Sequence, residues 1–178
     1  RELMGAGVDA GVQKSIQGAA ARLERLGAHI KEVSMPALKH ALAAYYVLSS
    51  AEASSNLARF DGVGYGVRAA HYDGLYELYA RSRSEGFGAE VKRRIMLGAF
   101  ALSEHYADAY YGKALRVRTL VAQDYARVFD EADVILSPVA RAVAGKLGAR
   151  DKDPVKTYLG DVCTVPASIA GLPAISVN

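Results

Sequence analysis

The eight residues from Ile95 to Leu102, IMLGAFAL, contain no polar side chain. A helix that is apolar on every side leaves no face for water and is typical of the interior of a larger body. Over the stretch from Arg81 to Tyr111 we therefore predict a loop, then this buried helix, then the start of a long amphipathic helix. A chain that contains such a segment has to build a sizeable core around it.

Three cations, Lys92, Arg93 and Arg94, stand directly before this run, in or near the predicted first turn. Cations are disfavoured there because the helix dipole favours anions at that end. Arg94 follows Val91 by three residues and precedes Gly98 by four, which places it toward the packed side. The spacing leaves two interpretations open. The guanidinium binds a carboxylate bidentately, or it extends to solvent beside its basic neighbours.

Length and composition favour one ordinary globular domain and exclude a disordered chain, since 178 residues are 51% hydrophobic and 23% charged. The net charge of +3 permits contact with RNA without indicating it. The single cysteine, Cys163, excludes an internal disulfide and is predicted to be a small buried hydrophobe in a reducing compartment. No apolar run reaches the roughly 18 residues of a membrane span, and no signal peptide is visible. Together with the single cysteine, this leads us to predict a cytoplasmic protein. The chain begins at Arg1 rather than at a methionine, and it ends at Asn178 directly after the strand-like AISV. We therefore predict that it is a fragment.

Two helices are predicted in the first third of the chain. Asp9 caps a helix that runs to about Leu26, with Gly27 as its stop. Pro36 opens a second helix that runs to about Arg59, with Ser34 nearby as a cap. The apolar stripe of the first helix consists of Val12, Ile16, Ala19, Leu23 and Leu26.

One face of the second helix carries Leu38, Leu42, Tyr45 and Ser49. Tyr45 is therefore predicted to point inward, where its hydroxyl needs a hydrogen-bond partner. A core tyrosine bonded to a backbone carbonyl satisfies the pattern equally well, so the spacing alone does not assign Tyr45 a function.

Three short segments have the β-branched or alternating pattern of strands: AHIKEVSMP (28–36), ADVILSP (132–138) and the final AISV. Helices that alternate with strands indicate an α/β fold. A GxGxG pattern at Gly62, Gly64 and Gly66 is weak as a phosphate site because no strand precedes it, and we predict a flexible loop there.

The last predicted helices bear the remaining charged candidates. A long helix from Tyr106 to Ala132 carries a solvated basic face that is also a possible RNA surface. Its cations are Lys113, Arg116, Arg118 and Arg127. A short helix is predicted to begin at Asp153-Pro154, which places Asp161 near its end. A carboxylate is disfavoured there by the helix dipole, so its presence at this position indicates a specific role for Asp161.

Three long motifs together carry a resemblance to a known family. They are SSAEASSNLARFDGVGYG (49–66), RSRSEGFGAEVKRRIMLGAFALS (81–103) with DAYYGKALRVRTL (108–120), and DPVKTYLGDVCTVPASIAGLPAISV (153–177). These runs resemble the amidase signature family, in the branch whose members hydrolyse glutamine for tRNA-dependent amidation. The resemblance implies an α/β/α domain around a mixed sheet flanked by helices, of which residues 1–178 form the C-terminal portion.

The resemblance also implies a reaction. The family hydrolyses an amide with a Lys/Ser/Ser triad, here the amide of glutamine. The released ammonia passes to another member of a heterotrimer, where ATP and Mg²⁺ activate Glu-tRNA(Gln); no cofactor is expected in this chain and no membrane is involved. The triad belongs to a serine- and glycine-rich signature that this sequence lacks, so the fragment alone is expected to be inactive.

By motif position, the resemblance assigns three residues to glutamine. Arg94 matches the arginine that binds the α-carboxylate, Asp161 the aspartate that binds the α-amino group, and Tyr45 a tyrosine of the same pocket. Three places depart from the pattern. Gly64 stands where arginine is common, the loop SPVARAVAG (137–145) replaces a stretch richer in proline and threonine, and Ser168 replaces a usual asparagine.

Two alternatives stand beside this interpretation. One is another amidase-signature hydrolase that acts on small amides without tRNA, against which the EASSNLARFDG run argues. The other is a non-catalytic module that binds RNA or protein through the Arg116, Arg118 and Arg127 face.

Overall fold

The computed structural model describes residues 1–5, 7–148 and 159–177. Within these ranges every regular element is helical, and we number six α-helices in chain order. They are α1 (Ala10–Arg25), α2 (Ala41–Asn56), α3 (Gly74–Gly86), α4 (Ala89–Ala101), α5 (Lys113–Phe129) and α6 (Val165–Ala170). Short 3₁₀ helices lie at Glu2–Met4, Pro36–His40, Leu57–Arg59 and Gly160–Cys163, and a π-helical turn lies at Asp108–Gly112.

The chain folds as two compact units, and each is described by itself. Unit 1 comprises Arg1–Tyr45 and Arg116–Asn178, and unit 2 comprises Tyr46–Leu115. The core of unit 1 is built from α5, α6 and the residues that lead into α2. Its buried members include Met35, Leu38, Ala41, Val121, Tyr125, Val128, Cys163, Val165 and Ile169.

Local signals predicted α1 correctly. The Asp9 carboxylate accepts a hydrogen bond from the Gly11 amide at 2.7 Å, and Gly27 has a φ of +98°, which only glycine adopts without strain. The predicted apolar stripe is less covered than expected, since Leu23 is 42% and Leu26 76% exposed within the described structure.

The three predicted strands are wrong within the described residues, where none of these segments pairs with a neighbour. A β-branched sequence favours an extended backbone, but a strand also requires a second segment to complete its hydrogen-bonded ladder. Val134 and Ile175 are 81% and 86% exposed, not buried. Ser34 is not the predicted cap either, because its hydroxyl donates to Glu2 at 2.6 Å.

Unit 2 contains the apolar run from Ile95 to Leu102, and here two helix boundaries and one burial pattern differ from the prediction. The predicted loop after Arg81 is helical as far as Gly86, in α3. The predicted long helix is interrupted, so α5 begins only at Lys113. In α4 only Gly98 and Ala101 are buried, while Met96 is 71% exposed. An apolar run therefore indicates a helix here but does not say which face the described structure covers.

Helices α2 and α4 approach each other at backbone distance. A Cβ atom built on Gly98 would lie 2.0 Å from the Ser50 carbonyl oxygen and 2.6 Å from the Ser54 Cβ. Glycine is required here because any side chain would separate the helices. The contact fixes the position of α4 against α2. It therefore also fixes the position of the residues one turn earlier on each helix, Tyr46 on α2 and Arg94 on α4.

The GxGxG segment is a turn organised by Asp61. The Asp61 carboxylate accepts hydrogen bonds from the amides of Val63 at 2.8 Å and Gly64 at 3.0 Å, and Gly62 has a φ of +80°. These two amides are engaged by a carboxylate of the chain itself, which gives no support to a phosphate site.

Candidate functional site

Arg94 lies in the second turn of α4, one turn later than its sequence prediction. Its Nε atom lies 3.1 Å from Oε1 of Glu90, and its guanidinium carbon lies 5.7 Å from the centre of the Tyr46 ring. The side chain is 32% exposed. The guanidinium is therefore bound to a carboxylate and lies over an aromatic ring, rather than extending into solvent.

Glu90 explains how three cations are tolerated near the start of α4. It lies in the first turn, where the dipole favours a carboxylate, and it pairs with both Arg93 and Arg94. Arg93 is the more exposed of the two arginines, at 46%. The two neighbours thus share one carboxylate but differ in their surroundings.

Tyr45 is half-buried on α2, on the turn that follows the buried Ala41. The buried residues of α2 are Ala41, Ala44, Ser50 and Ala51, so the predicted stripe of Leu42, Tyr45 and Ser49 is only partly covered. The next residue of that stripe, Ser49, has a buried hydroxyl with no hydrogen-bond partner among the described residues.

Asp161 is exposed, in the first turn of the 3₁₀ helix Gly160–Cys163. Its backbone carbonyl accepts hydrogen bonds from the amide and the hydroxyl of Thr164, each at 3.2 Å. The start of the helix predicted from Asp153 lies outside the described residues.

Cys163 is buried, and burial raises the pKa of its thiol. A raised pKa disfavours the thiolate that a nucleophile or a metal ligand requires. The structure thus confirms the predicted role as a small buried hydrophobe.

The structure brings Arg94 together with Glu90 and Tyr46 inside unit 2. Tyr45 and Asp161 belong to unit 1. The sequence analysis missed both partners of Arg94. Glu90 was detectable, because a glutamate four residues before an arginine is a favourable helix pair. Tyr46 was not detectable, because its contact depends on how α4 packs against α2.

In the part of the chain that the structure describes, no helix is both long and apolar enough to cross a membrane.

Comparison with known proteins gives a consistent result over the whole chain. The model of the Amidase family matches residues 1–178. The chain is 54% identical to the A subunit of the glutamyl-tRNA(Gln) amidotransferase of Symbiobacterium thermophilum and 58% identical to that of Brevibacillus brevis; each match covers 99% of this chain and 36% of the relative.

A solved structure agrees with these relatives. The crystal structure of the glutamyl-tRNA(Gln) amidotransferase A subunit from Thermotoga maritima superposes with a TM-score of 0.66 at 36% identity, and covers 100% of this chain and 35% of the other. The chain thus spans about a third of the length of the proteins it matches. Sequence and fold lead to one assignment: the chain belongs to the amidase family.

Proposed function

We propose that this chain is the glutamine-binding portion of a glutaminase, the component of a glutamyl-tRNA(Gln) amidotransferase that hydrolyses glutamine. The observation that carries the proposal is the identity of 54–58% to the A subunits of such enzymes along 99% of the chain. The ammonia released would convert Glu-tRNA(Gln) to Gln-tRNA(Gln) on another member of a heterotrimer. ATP and Mg²⁺ would act on that partner, and this chain would hold no cofactor of its own.

Glutamine is a zwitterion at neutral pH, so its recognition requires one cation and one anion. Arg94 would bind the α-carboxylate through a planar pair of N–H groups, Asp161 the α-amino group, and Tyr45 would line the same pocket. The surroundings of Arg94 support its part: the guanidinium is partly desolvated and held by Glu90 and Tyr46. Partial desolvation strengthens a charged hydrogen bond.

The test is the glutaminase activity of the full-length protein in its complex, with Arg94→Ala compared with Lys92→Ala. A charged hydrogen bond contributes about 1.5–3 kcal/mol, so Arg94→Ala should raise the KM for glutamine by about 10- to 150-fold. Lys92→Ala is a matched control, because it removes the same charge from an exposed residue of the same helix. It should leave KM within about threefold. An unchanged KM in Arg94→Ala contradicts the assignment.

The proposed role of Asp161 is tested with a substrate that lacks the α-amino group. Asp161→Asn should raise the KM for glutamine by about tenfold or more but leave the KM for glutaramate, which has no α-amino group, unchanged. Equal increases for the two amides would show that Asp161 does not bind the amino group.

A further inference from the structure

We propose that Glu90 and Tyr46 are positioning residues that fix the Arg94 guanidinium in the orientation needed to bind a carboxylate. This inference rests on the proposed function of Arg94 and deepens it. It concerns only unit 2, in which all three side chains lie.

The first contact fixes the guanidinium within its plane. Glu90 lies one turn before Arg94 on α4 and binds Nε, the inner nitrogen, at 3.1 Å. A guanidinium is a rigid fork, so fixing one N–H direction fixes the directions of the others. Bidentate binding of a carboxylate depends on this direction, because both N–H groups must point at the two oxygens together.

The second contact limits where the guanidinium can lie. The guanidinium carbon lies over the Tyr46 ring, 5.7 Å from the ring centre. Tyr46 precedes Ser50 by four residues and Arg94 precedes Gly98 by four, so each side chain stands one turn before the close contact of α2 with α4. The position of the Tyr46 ring is therefore set by the same backbone contact that positions α4.

The charges allow Glu90 to hold Arg94 without neutralising it. A lone carboxylate beside Arg94 would repel the carboxylate of a substrate. Glu90 is also paired with Arg93, so its one negative charge is shared between two guanidinium groups. Glu90 therefore does not cancel the charge of Arg94 by itself.

The experiment measures steady-state glutamine hydrolysis by the full-length protein in its complex. Glu90→Ala and Tyr46→Leu should each raise the KM for glutamine on the order of tenfold while kcat stays within about twofold, a size typical of coupled neighbours. Glu90→Gln should raise KM less, because its amide oxygen still accepts from Nε. Tyr46→Phe keeps the aromatic ring and should restore most of the affinity that Tyr46→Leu loses.

A double-mutant cycle separates positioning from general stability. Glu90→Ala should raise KM no further in an Arg94→Ala background, because there is no guanidinium left to orient. An effect that persists in full in that background, or a wild-type KM in both Glu90→Ala and Tyr46→Leu, overturns the positioning role and leaves the assignment of Arg94 standing. If Arg94→Ala itself leaves KM unchanged, the proposed function fails first.

Discussion

At the scale of single residues, one carboxylate organises the segment that leads into α2. Glu2 accepts hydrogen bonds from the Ser34 hydroxyl at 2.6 Å and from the Met35 amide at 2.9 Å. Partial burial by itself raises the pKa of Glu2, but these hydrogen bonds outweigh it and lower the pKa from 4.5 to about 2. The Glu2 side chain thus accepts from the Met35 amide, which in a sheet would donate to the backbone of a neighbouring strand.

This lowered pKa predicts a pH dependence of stability. Because the folded pKa lies below the unfolded one, the contribution of Glu2 is complete above about pH 4.5 and is lost as the pH falls toward about 2. The free energy of unfolding should therefore differ between wild type and Glu2→Gln at pH 6, and the two should converge toward pH 2. A difference that stays constant over this range would show that the Glu2 carboxylate is not held by these bonds.

At the scale of elements, the approach of α2 to α4 depends on one glycine. Gly98→Ala places a methyl group 2.0 Å from the Ser50 carbonyl oxygen, so the helices must separate. We expect a loss of about 1–3 kcal/mol in the free energy of unfolding, measured by urea denaturation, together with a raised KM for glutamine because Tyr46 and Arg94 move apart.

Gly18→Ala is the matched control for that substitution. Gly18 lies within α1, and no atom stands within 4 Å of the Cβ that alanine would add. Alanine is the better helix former there and should stabilise the protein by about 0.4–1 kcal/mol. If Gly98→Ala stabilises the protein as Gly18→Ala does, the close contact of α2 with α4 does not constrain the fold.

The same elements show what the sequence could predict and what it could not. The limits of α1 were predicted because they are local: Asp9 bonds an amide two residues away, and Gly27 needs only its own φ. The three strands were predicted wrongly, because a strand also requires a pairing segment that is distant in sequence. The exposed side of α4 was missed for a similar reason, since Gly98 packs on α2 as expected while larger apolar side chains remain exposed.

At the scale of the whole molecule, the candidate site was predictable only in part. Arg94 was distinguished from its basic neighbours by spacing, and Glu90 follows from the same helix periodicity. Tyr46 could not be predicted, because its contact with Arg94 depends on how α2 packs against α4. The assignment of Tyr45 and Asp161 to glutamine came from family motifs, and it stays a prediction. The basic face at Arg116, Arg118 and Arg127 likewise stays a prediction for RNA; Arg127 is paired with Asp124 at 3.0 Å.

The central claim, that Arg94 binds the α-carboxylate of glutamine, is tested most directly by removing that carboxylate from the substrate. We would compare kcat/KM of the full-length complex for glutamine and for γ-aminobutyramide, which keeps the amide and the amino group. Wild type should prefer glutamine by about 10- to 150-fold, and Arg94→Ala should lose that preference because the two substrates then make the same contacts. If Arg94→Ala keeps the full preference for glutamine, another residue binds the carboxylate. A wild-type enzyme that prefers the carboxylate-free amide would instead favour a hydrolase of small amides.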